Sequence, residues 1–195
     1  MRVSQGADNG GIGTMERRAA EAVNAGLILA HYRPTTSGAI AIGTTKSKVT
    51  LGADVTYAVN GSIVTKTAAA DVWTLGGATS NTTVAAGSIQ RYILALDASG
   101  TAFVYEGVQQ IGSSATTLRY TNLNGKGIYT ALFYITGLGQ TPVGSVQVIT
   151  DATHTFIPGT TLFDAAGLTV AYTSGLDSTF IPLIGDLAGR SIGSF

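Results

Sequence analysis

Cysteine is absent from this chain of 195 residues, and charged side chains are scarce. Without cysteine, the protein can form neither disulfide bonds nor thiolate metal sites. Charged residues make up 11% of the sequence, against about 25% in soluble domains generally, and eleven basic residues balance eleven acidic ones. So little charge protects a protein poorly against association. We therefore expect other copies of the chain, or a partner, to cover much of the surface; the alternative is a compact β domain with a surface of Thr, Ser and Gly.

The features that would indicate a nucleic-acid or membrane partner are also missing. Nucleic-acid binding depends on clustered Lys and Arg, and the basic residues here are scattered. The longest apolar run near the N-terminus, residues 25–30, is far shorter than the roughly 20 residues of a membrane span. Residues 1–14 are polar and rich in glycine, unlike a secretory signal. We expect neither kind of partner.

Motifs for catalysis and for metal binding are equally absent. His31 and His154 are the two histidines, far apart and without an acidic cluster beside either, whereas a metal site needs three or four ligands. Residues 125–127, Gly-Lys-Gly, lack the upstream Gly and the following Ser or Thr of a phosphate-binding loop. We predict that the protein is not an enzyme and holds no metal or cofactor. A hydrolase whose distant carboxylates meet only in the fold is the alternative.

One amphipathic helix is predicted over residues 15–30. Thr14 is a suitable N-cap, and Glu16 lies in the first turn, where the helix dipole favours a negative charge. Spacings of three and four residues place several apolar side chains on one face. The candidate interface residues on this face are Met15, Ala19, Val23 and Leu27. We predict that this face is a docking or trimerisation element.

From residue 38 onwards the sequence favours β structure. Val, Ile, Thr and Tyr alternate with small residues, and turn signals recur about every eight to twelve residues. This spacing predicts a mainly β protein, an antiparallel sandwich or barrel with one N-terminal helix. The predicted organisation is an arm and helix over 1–37, a β domain over 38–180 and a tail over 181–195.

The clearest hairpin surrounds the Asn-Gly pair at 60–61. Both residue types accept the positive φ angles of a type I′ turn. Strands over 54–59 and 62–67 then pair so that Tyr57 lies opposite Val64. Further strands are predicted over 71–75, 82–86, 92–96, 126–136, 144–150 and 168–172, of which 92–96 is apolar on both faces and so central.

A second hairpin signal lies at Asp97–Gly100, where Asp begins the turn and Gly ends it. The pattern returns at Asp164–Gly167, and Tyr172 follows the second copy at the offset at which Tyr105 follows the first. We predict a hairpin turn at each. Either two related β units span 38–107 and 108–175, or a common turn recurs by chance.

Aromatic residues at strand positions could line a sugar-binding surface, or they could belong to the core. The residues concerned are Trp73, Tyr92, Phe103, Tyr105, Tyr129, Phe133 and Tyr134. Their period-2 spacing favours the core or an interface.

Two stretches resemble a known class of proteins. The first includes Arg-Tyr-Ile-Leu-Ala-Leu-Asp-Ala-Ser-Gly over 91–100; the second includes Thr-Pro-Val-Gly-Ser-Val-Gln-Val-Ile-Thr-Asp over 141–151, with Phe-Ile-Pro-Gly-Thr-Thr at 156–161 and Asp-Ala-Ala-Gly at 164–167. Together, over roughly residues 80–170, they are similar to structural proteins of tailed bacteriophage virions, in particular capsid decoration (cement) and head-fibre proteins.

The resemblance implies a β-rich protein without enzymatic activity, often a homotrimer, bound to the outside of the virion capsid. Its partners would be other copies of itself and the major capsid protein, whose shell it would stabilise. The alternative is a host-recognition module on a tail or head fibre that binds carbohydrate through exposed aromatic rings.

Overall fold

A computed structural model describes residues 31–78, 80–107, 110–111 and 135–175. The predicted helix over 15–30, with Met15, Ala19, Val23 and Leu27, lies outside the described residues, and so does the predicted tail over 181–195. Most of the predicted strand over 126–136 also lies outside them. Its last two residues, 135–136, are helical, so the prediction is wrong at that end.

The described part of the chain is mainly β, as predicted, and forms ten strands. In chain order they are β1 (Ile40–Ile42), β2 (Lys48–Leu51), β3 (Val55–Val59), β4 (Ser62–Lys66), β5 (Ala69–Thr74), β6 (Ser88–Asp97), β7 (Ala102–Glu106), β8 (Gln110–Ile111), β9 (Gln140–Thr150) and β10 (Leu168–Ser174). In this part of the chain, no helix combines the length and apolarity needed to cross a bilayer.

The strands form an antiparallel sandwich. One layer is a sheet in the order β10-β9-β6-β7, with β8 paired to the start of β6. The other layer consists of a sheet in the order β1-β2-β5 and the hairpin β3-β4. All the pairings are antiparallel. The described sheets do not close into a barrel, so the sandwich alternative is the correct one.

The hydrophobic core lies between the two layers. Trp73 and Tyr57 enter it from the smaller sheets, and Tyr92 and Leu94 enter it from the large sheet. All four side chains are buried. The Trp73 Nε1–H donates a hydrogen bond of 3.2 Å to the carbonyl of Ala95, which ties the two layers together.

Strand β6 is central, as its apolar sequence predicts. It pairs with β9 on one side and with β7 and β8 on the other. Tyr92 and Leu94 face the main core, while Ala95 faces the opposite side of the sheet with Tyr105 and Ile135. Burial on both faces explains why this strand lacks the alternation of a half-exposed strand.

The hairpin β3-β4 has the predicted turn and register. Asn60 and Gly61 have φ angles of 54° and 79°, which is the type I′ conformation. Tyr57 lies opposite Val64. The β6-β7 turn is also confirmed: Gly100 has a φ of 78°, and its N–H donates a 3.0 Å bond to the Asp97 carbonyl.

The second predicted hairpin, at 164–167, is wrong. Gly167 does adopt a positive φ of 78°, but the turn ends a long connection over 151–167 and no strand runs into it. Tyr105 and Tyr172 also face opposite sides of the large sheet: Tyr105 packs with Ala95, whereas Tyr172 packs on the main core. The two copies therefore occupy different environments, which favours chance recurrence of a common turn.

The predicted strand over 82–86 is wrong as well. Val84 forms an isolated bridge with Phe156, with mutual N–H···O bonds of 2.8 and 3.0 Å. The chain then turns at Gly87, which has a φ of 66°, and enters β6. The segment thus pairs with the chain at one isolated bridge and forms no strand of a sheet.

Residues 31–36 are hydrogen-bonded to β3. The Ala58 N–H donates a 2.7 Å bond to the Arg33 carbonyl, and the Thr35 N–H donates a 2.6 Å bond to the Thr56 carbonyl. This segment therefore lies along the edge of β3 opposite β4. The predicted boundary between 37 and 38 stays a prediction.

The buried Tyr57 should make stability depend on alkaline pH. Burial, and then the nearby Asp97 carboxylate, raise the pKa of Tyr57 to about 12, and its hydroxyl donates a 2.7 Å bond to the Asp97 carbonyl. Because the folded pKa lies above the unfolded value near 10, this stabilisation is complete below pH 10 and is lost as the pH rises towards 12. At pH 11 the expected loss is on the order of 1 kcal/mol.

Urea unfolding of the wild type and of Tyr57→Phe between pH 8 and 11 tests this prediction. The variant lacks the titrating hydroxyl, so the wild type should lose on the order of 1 kcal/mol more than the variant over that range. Parallel losses in the two proteins would contradict it.

Candidate interaction surface

The carboxylates in the described part of the chain accept hydrogen bonds that hold loops in place. Asp71 has a φ of 55° and accepts bonds of 3.0 Å from the Thr45 N–H and 2.6 Å from the Thr45 hydroxyl. The hydrogen bond from the Thr45 side chain is the main cause that lowers the pKa of Asp71. Glu106 accepts bonds of 3.0 and 2.5 Å from the Thr82 N–H and hydroxyl. Each carboxylate thus fixes a loop to a strand.

Asp97 and Asp151 organise their own turns. Asp97 Oδ1 accepts bonds from the N–H groups of Ser99 and Thr101 at 2.8 and 2.9 Å. Burial alone would raise the pKa of Asp97, but the hydrogen bonds from Ser99 and Thr101 outweigh it and lower the pKa. Asp151 Oδ1 accepts 2.8 Å bonds from the N–H groups of Thr153 and His154, and these interactions lower its pKa strongly.

The two remaining described carboxylates also have partners. Asp54 accepts a 2.8 Å bond from the Ala68 N–H, and Asp164 lies 3.9 Å from the Lys46 ammonium. Within the described ranges, no three of His, Asp and Glu come together as metal ligands. The acidic residues of this part of the chain therefore have structural partners, and we assign no catalytic pair among them.

The two histidines lie in different places. His31 is exposed next to the β3-β4 turn, where the Gly61 N–H donates a 3.1 Å bond to its carbonyl. His154 lies in the connection over 151–167, where its Nδ1 is 2.9 Å from Asp151 Oδ1. The structure does not bring them together, and it gives His154 a role in holding its turn.

Three of the aromatic residues considered for sugar binding are buried: Trp73, Tyr92 and Tyr105. The Tyr105 hydroxyl donates a 2.5 Å bond to Gln140 Oε1, so its polar end is also occupied. Phe103 is half-buried against the smaller cluster. Tyr129, Phe133 and Tyr134 lie outside the described residues. The three buried rings cannot stack on a sugar from the surface.

The surface does carry exposed apolar side chains. Among the described residues, the large hydrophobic ones that are most exposed are Ile63, Leu138, Leu162 and Ile157, at 65, 50, 48 and 46%. Ile157 and Leu162 belong to one short segment, which we call the 157–162 loop. An apolar pair on a single loop is a candidate contact for a partner.

The 157–162 loop is held at both ends by buried aromatic rings. Phe156 precedes it and Phe163 follows it; both are buried, and their rings stack at 5.6 Å with an interplanar angle of 15°. Tyr172 meets Phe163 edge-on at 6.1 Å. The two stacked rings anchor the loop in the core, while Ile157 and Leu162 project outwards.

The loop is also fixed internally. The Ile157 N–H donates a 2.9 Å bond to the Thr161 hydroxyl, and the Thr160 N–H donates a 3.1 Å bond to the Ile157 carbonyl. Gly159 has a φ of 76° and lies so close to the Leu75 carbonyl that a Cβ would come within 2.4 Å of that oxygen. The loop backbone therefore packs closely against Leu75, which follows β5.

This surface is not among the sites predicted from the sequence. Residues 156–161 carry part of the virion resemblance, but no sequence prediction concerns their exposure. The available signal was two apolar residues, Ile157 and Leu162, separated by Pro-Gly-Thr-Thr and flanked by phenylalanines. This pattern does not indicate which of these apolar residues the core takes up, so it does not predict the exposure of Ile157 and Leu162.

Comparison of the whole chain with protein-family models, with curated proteins and with solved structures finds no match.

Proposed function

We propose that this protein is a non-enzymatic structural protein of a bacteriophage virion, a decoration or cement protein that binds the outer surface of the capsid. The observation that carries the proposal is the 157–162 loop, a rigid loop that exposes two large apolar side chains. The virion-like motifs over roughly 80–170 include this loop and supply the class of partner. The contact with the major capsid protein would be made by Ile157 and Leu162.

A rigid apolar loop is well suited to this role. Burying an exposed Ile or Leu contributes about 1.5–3 kcal/mol when it is complete. Because the Phe156–Phe163 stack and the internal hydrogen bonds already order the loop, binding needs little further loss of conformational entropy. A protein that binds only the assembled shell stabilises that shell by mass action.

Self-association fits the same proposal. A chain with 11% charged residues and no net charge has weak electrostatic protection against contact with its copies. We propose a homo-oligomer, a trimer as in the resembling proteins, with the predicted helix face of Met15, Ala19, Val23 and Leu27 as a docking or trimerisation element.

The host-recognition alternative has less support. It needs exposed aromatic rings, and Trp73, Tyr92 and Tyr105 are buried. A sugar site on this protein would have to use other residues.

The proposal is tested by adding the purified protein to capsids that lack it. Ile157→Ser combined with Leu162→Ser should reduce binding at least tenfold, since losing about 1.4 kcal/mol of contact energy already has that effect. Occupancy is measured by sedimenting the particles and quantifying the bound protein on gels.

The matched control is Leu138→Ser, which removes another side chain of similar exposure outside the loop and should bind like the wild type. Unchanged melting temperatures would show that both variants fold. Wild-type protein that does not bind capsids, or that is present at only a few copies per purified virion, would contradict the decoration role; a double variant that binds like wild type would contradict the loop assignment.

A further inference from the structure

Strand β4 leaves one edge of its hairpin open. The two-residue turn makes Val59 and Ser62 a hydrogen-bonded pair, and such pairs alternate along an antiparallel ladder, so Tyr57 and Val64 form the next one. The N–H and C=O groups of Ile63 therefore point away from β3, and those of Thr65 do the same.

The other side of the hairpin supports this assignment. The residues opposite Ile63 and Thr65 on β3 are Ala58 and Thr56. Their backbone groups bond outwards to residues 31–36: the Ala58 N–H to the Arg33 carbonyl, and the Thr56 carbonyl to the Thr35 N–H. The outer edge of β3 is thus occupied, whereas β4 has no strand partner other than β3 among the described residues.

The open edge of β4 has little of the protection against further pairing that edge strands usually carry. Natural edge strands are shielded by charges, proline, bulges or a covering segment. Here the strand reads Ser-Ile-Val-Thr-Lys, regularly paired to β3, with one charge at its end. Ile63 is 65% exposed, the highest value among the large apolar side chains that the structure describes.

We propose that β4 pairs with β4 of a second copy of this chain, antiparallel, around a two-fold axis that passes next to Val64. Ile63 then lies opposite Thr65 of the partner, and the four outward backbone groups on each strand find partners. Val64 lies opposite Val64 of the partner, as a pair without direct hydrogen bonds. The full length of Ser62–Lys66 takes part.

The position of Lys66, the one charged residue of β4, favours pairing with a second copy of the strand. In this register Lys66 lies opposite Ser62 of the partner, so the two ammonium groups are at opposite ends of the ladder and do not repel each other directly. Ile63 loses water contact against Thr65 of the partner, a β-branched neighbour suited to strand packing. The edge is therefore complementary to itself.

The proposal does not depend on binding to a capsid. A two-fold contact uses each β4 once, so it can form a dimer in solution, and it can equally join one trimer to another. Pairing of one short strand buries little surface, and we expect a reversible association that strengthens when other contacts hold the copies together.

A single cysteine provides a direct test, because the full chain contains none. In Val64→Cys the two Cα atoms would lie about 4.5 Å apart, within the range that a disulfide spans. Mild oxidation at high protein concentration should give a covalent dimer on a non-reducing gel. The dimer should form at least ten times faster than in Ala171→Cys, which places a thiol at an exposed position on β10.

Ser62→Cys is the register control. Its thiol is exposed but would lie about 13 Å from its copy, since four residues of strand separate them. It should oxidise no faster than Ala171→Cys. Equal rates for Val64→Cys and Ala171→Cys would overturn the proposal, and rapid oxidation of Ser62→Cys would overturn the register.

Two variants test the association itself. Ile63→Lys places like charges close to the axis, and Thr65→Pro removes an outward N–H without breaking the β3 ladder. Sedimentation equilibrium of the folded variants should show the two-fold association weakened at least tenfold. If both variants fold and associate like the wild type, the β4 edge is not the contact.

Discussion

Replacing Trp73 with alanine is expected to lower the free energy of unfolding by about 4 kcal/mol, the typical cost of removing a large aromatic side chain from a core. Trp73 is buried between the two layers, and its indole N–H bonds the Ala95 carbonyl across the core. The two packed sheets can relax only partly into the space that the indole leaves, so a cavity remains. Urea unfolding followed by far-ultraviolet circular dichroism measures the loss.

Trp73→Phe is the control that distinguishes the loss of apolar packing from the loss of the indole hydrogen bond. It keeps most of the apolar volume, and the Ala95 carbonyl keeps its place in the ladder with β7. The expected cost is about 1–2 kcal/mol, from one hydrogen bond and a smaller cavity. Equal losses in the two variants would show that packing at this site matters less than the N–H bond.

Gly159→Ala is expected to cost about 3 kcal/mol and to weaken capsid binding at the same time. Alanine at a φ of 76° is strained by about 1–2 kcal/mol, and its Cβ would lie 2.4 Å from the Leu75 carbonyl oxygen. A backbone carbonyl cannot swing aside as a side chain can, so the 157–162 loop must move. Ile157 and Leu162 would then be displaced from the positions that we assign to the contact.

Substitutions at two other glycines distinguish the cost of backbone strain from the cost of a steric clash. Gly87 has a φ of 66° and open space around a Cβ, so Gly87→Ala should cost about 1 kcal/mol from strain alone. Gly77 has neither a positive φ nor a close neighbour, so Gly77→Ala should change stability by less than about 0.5 kcal/mol. Thermal unfolding of the three variants should rank them in that order, and a Gly159→Ala protein as stable as Gly77→Ala would contradict the close approach.

Local features of the fold were predictable because their causes are local. The Asn-Gly pair at 60–61 determines a turn type, and the turn type determines the register that places Tyr57 opposite Val64. The apolar residues of 92–96 indicated a covered strand, and that strand is central. Regularly spaced strands predict a sandwich or a barrel, but they do not decide between the two.

The errors come from tertiary context. The turn at 164–167 has the sequence of a hairpin turn, but the segment before it is held by Phe156 and Phe163 in the core and pairs with no strand in the described structure. Residues 82–86 have the sequence of a strand, but in the structure they form one isolated β-bridge, between Val84 and Phe156.

The candidate surface was not predictable for a related reason. Exposure of Ile157 and Leu162 depends on which apolar residues the core has room for, and sequence patterns do not contain that information. The open edge of β4 likewise depends on where residues 31–36 lie, because they occupy the other edge of the hairpin.

The central pairing of β6 with β9 has a consequence for the way in which the chain folds. The two strands are far apart in the sequence, and β9 is also the partner of β10. During synthesis, β6 and β7 can form their hairpin long before β9 is available, and until then the apolar edge of β6 lacks its neighbour. Folding limited by such distant pairings is slow. The large sheet therefore cannot be completed before residues up to β10 have left the ribosome, and until then one edge of β6 is unpaired.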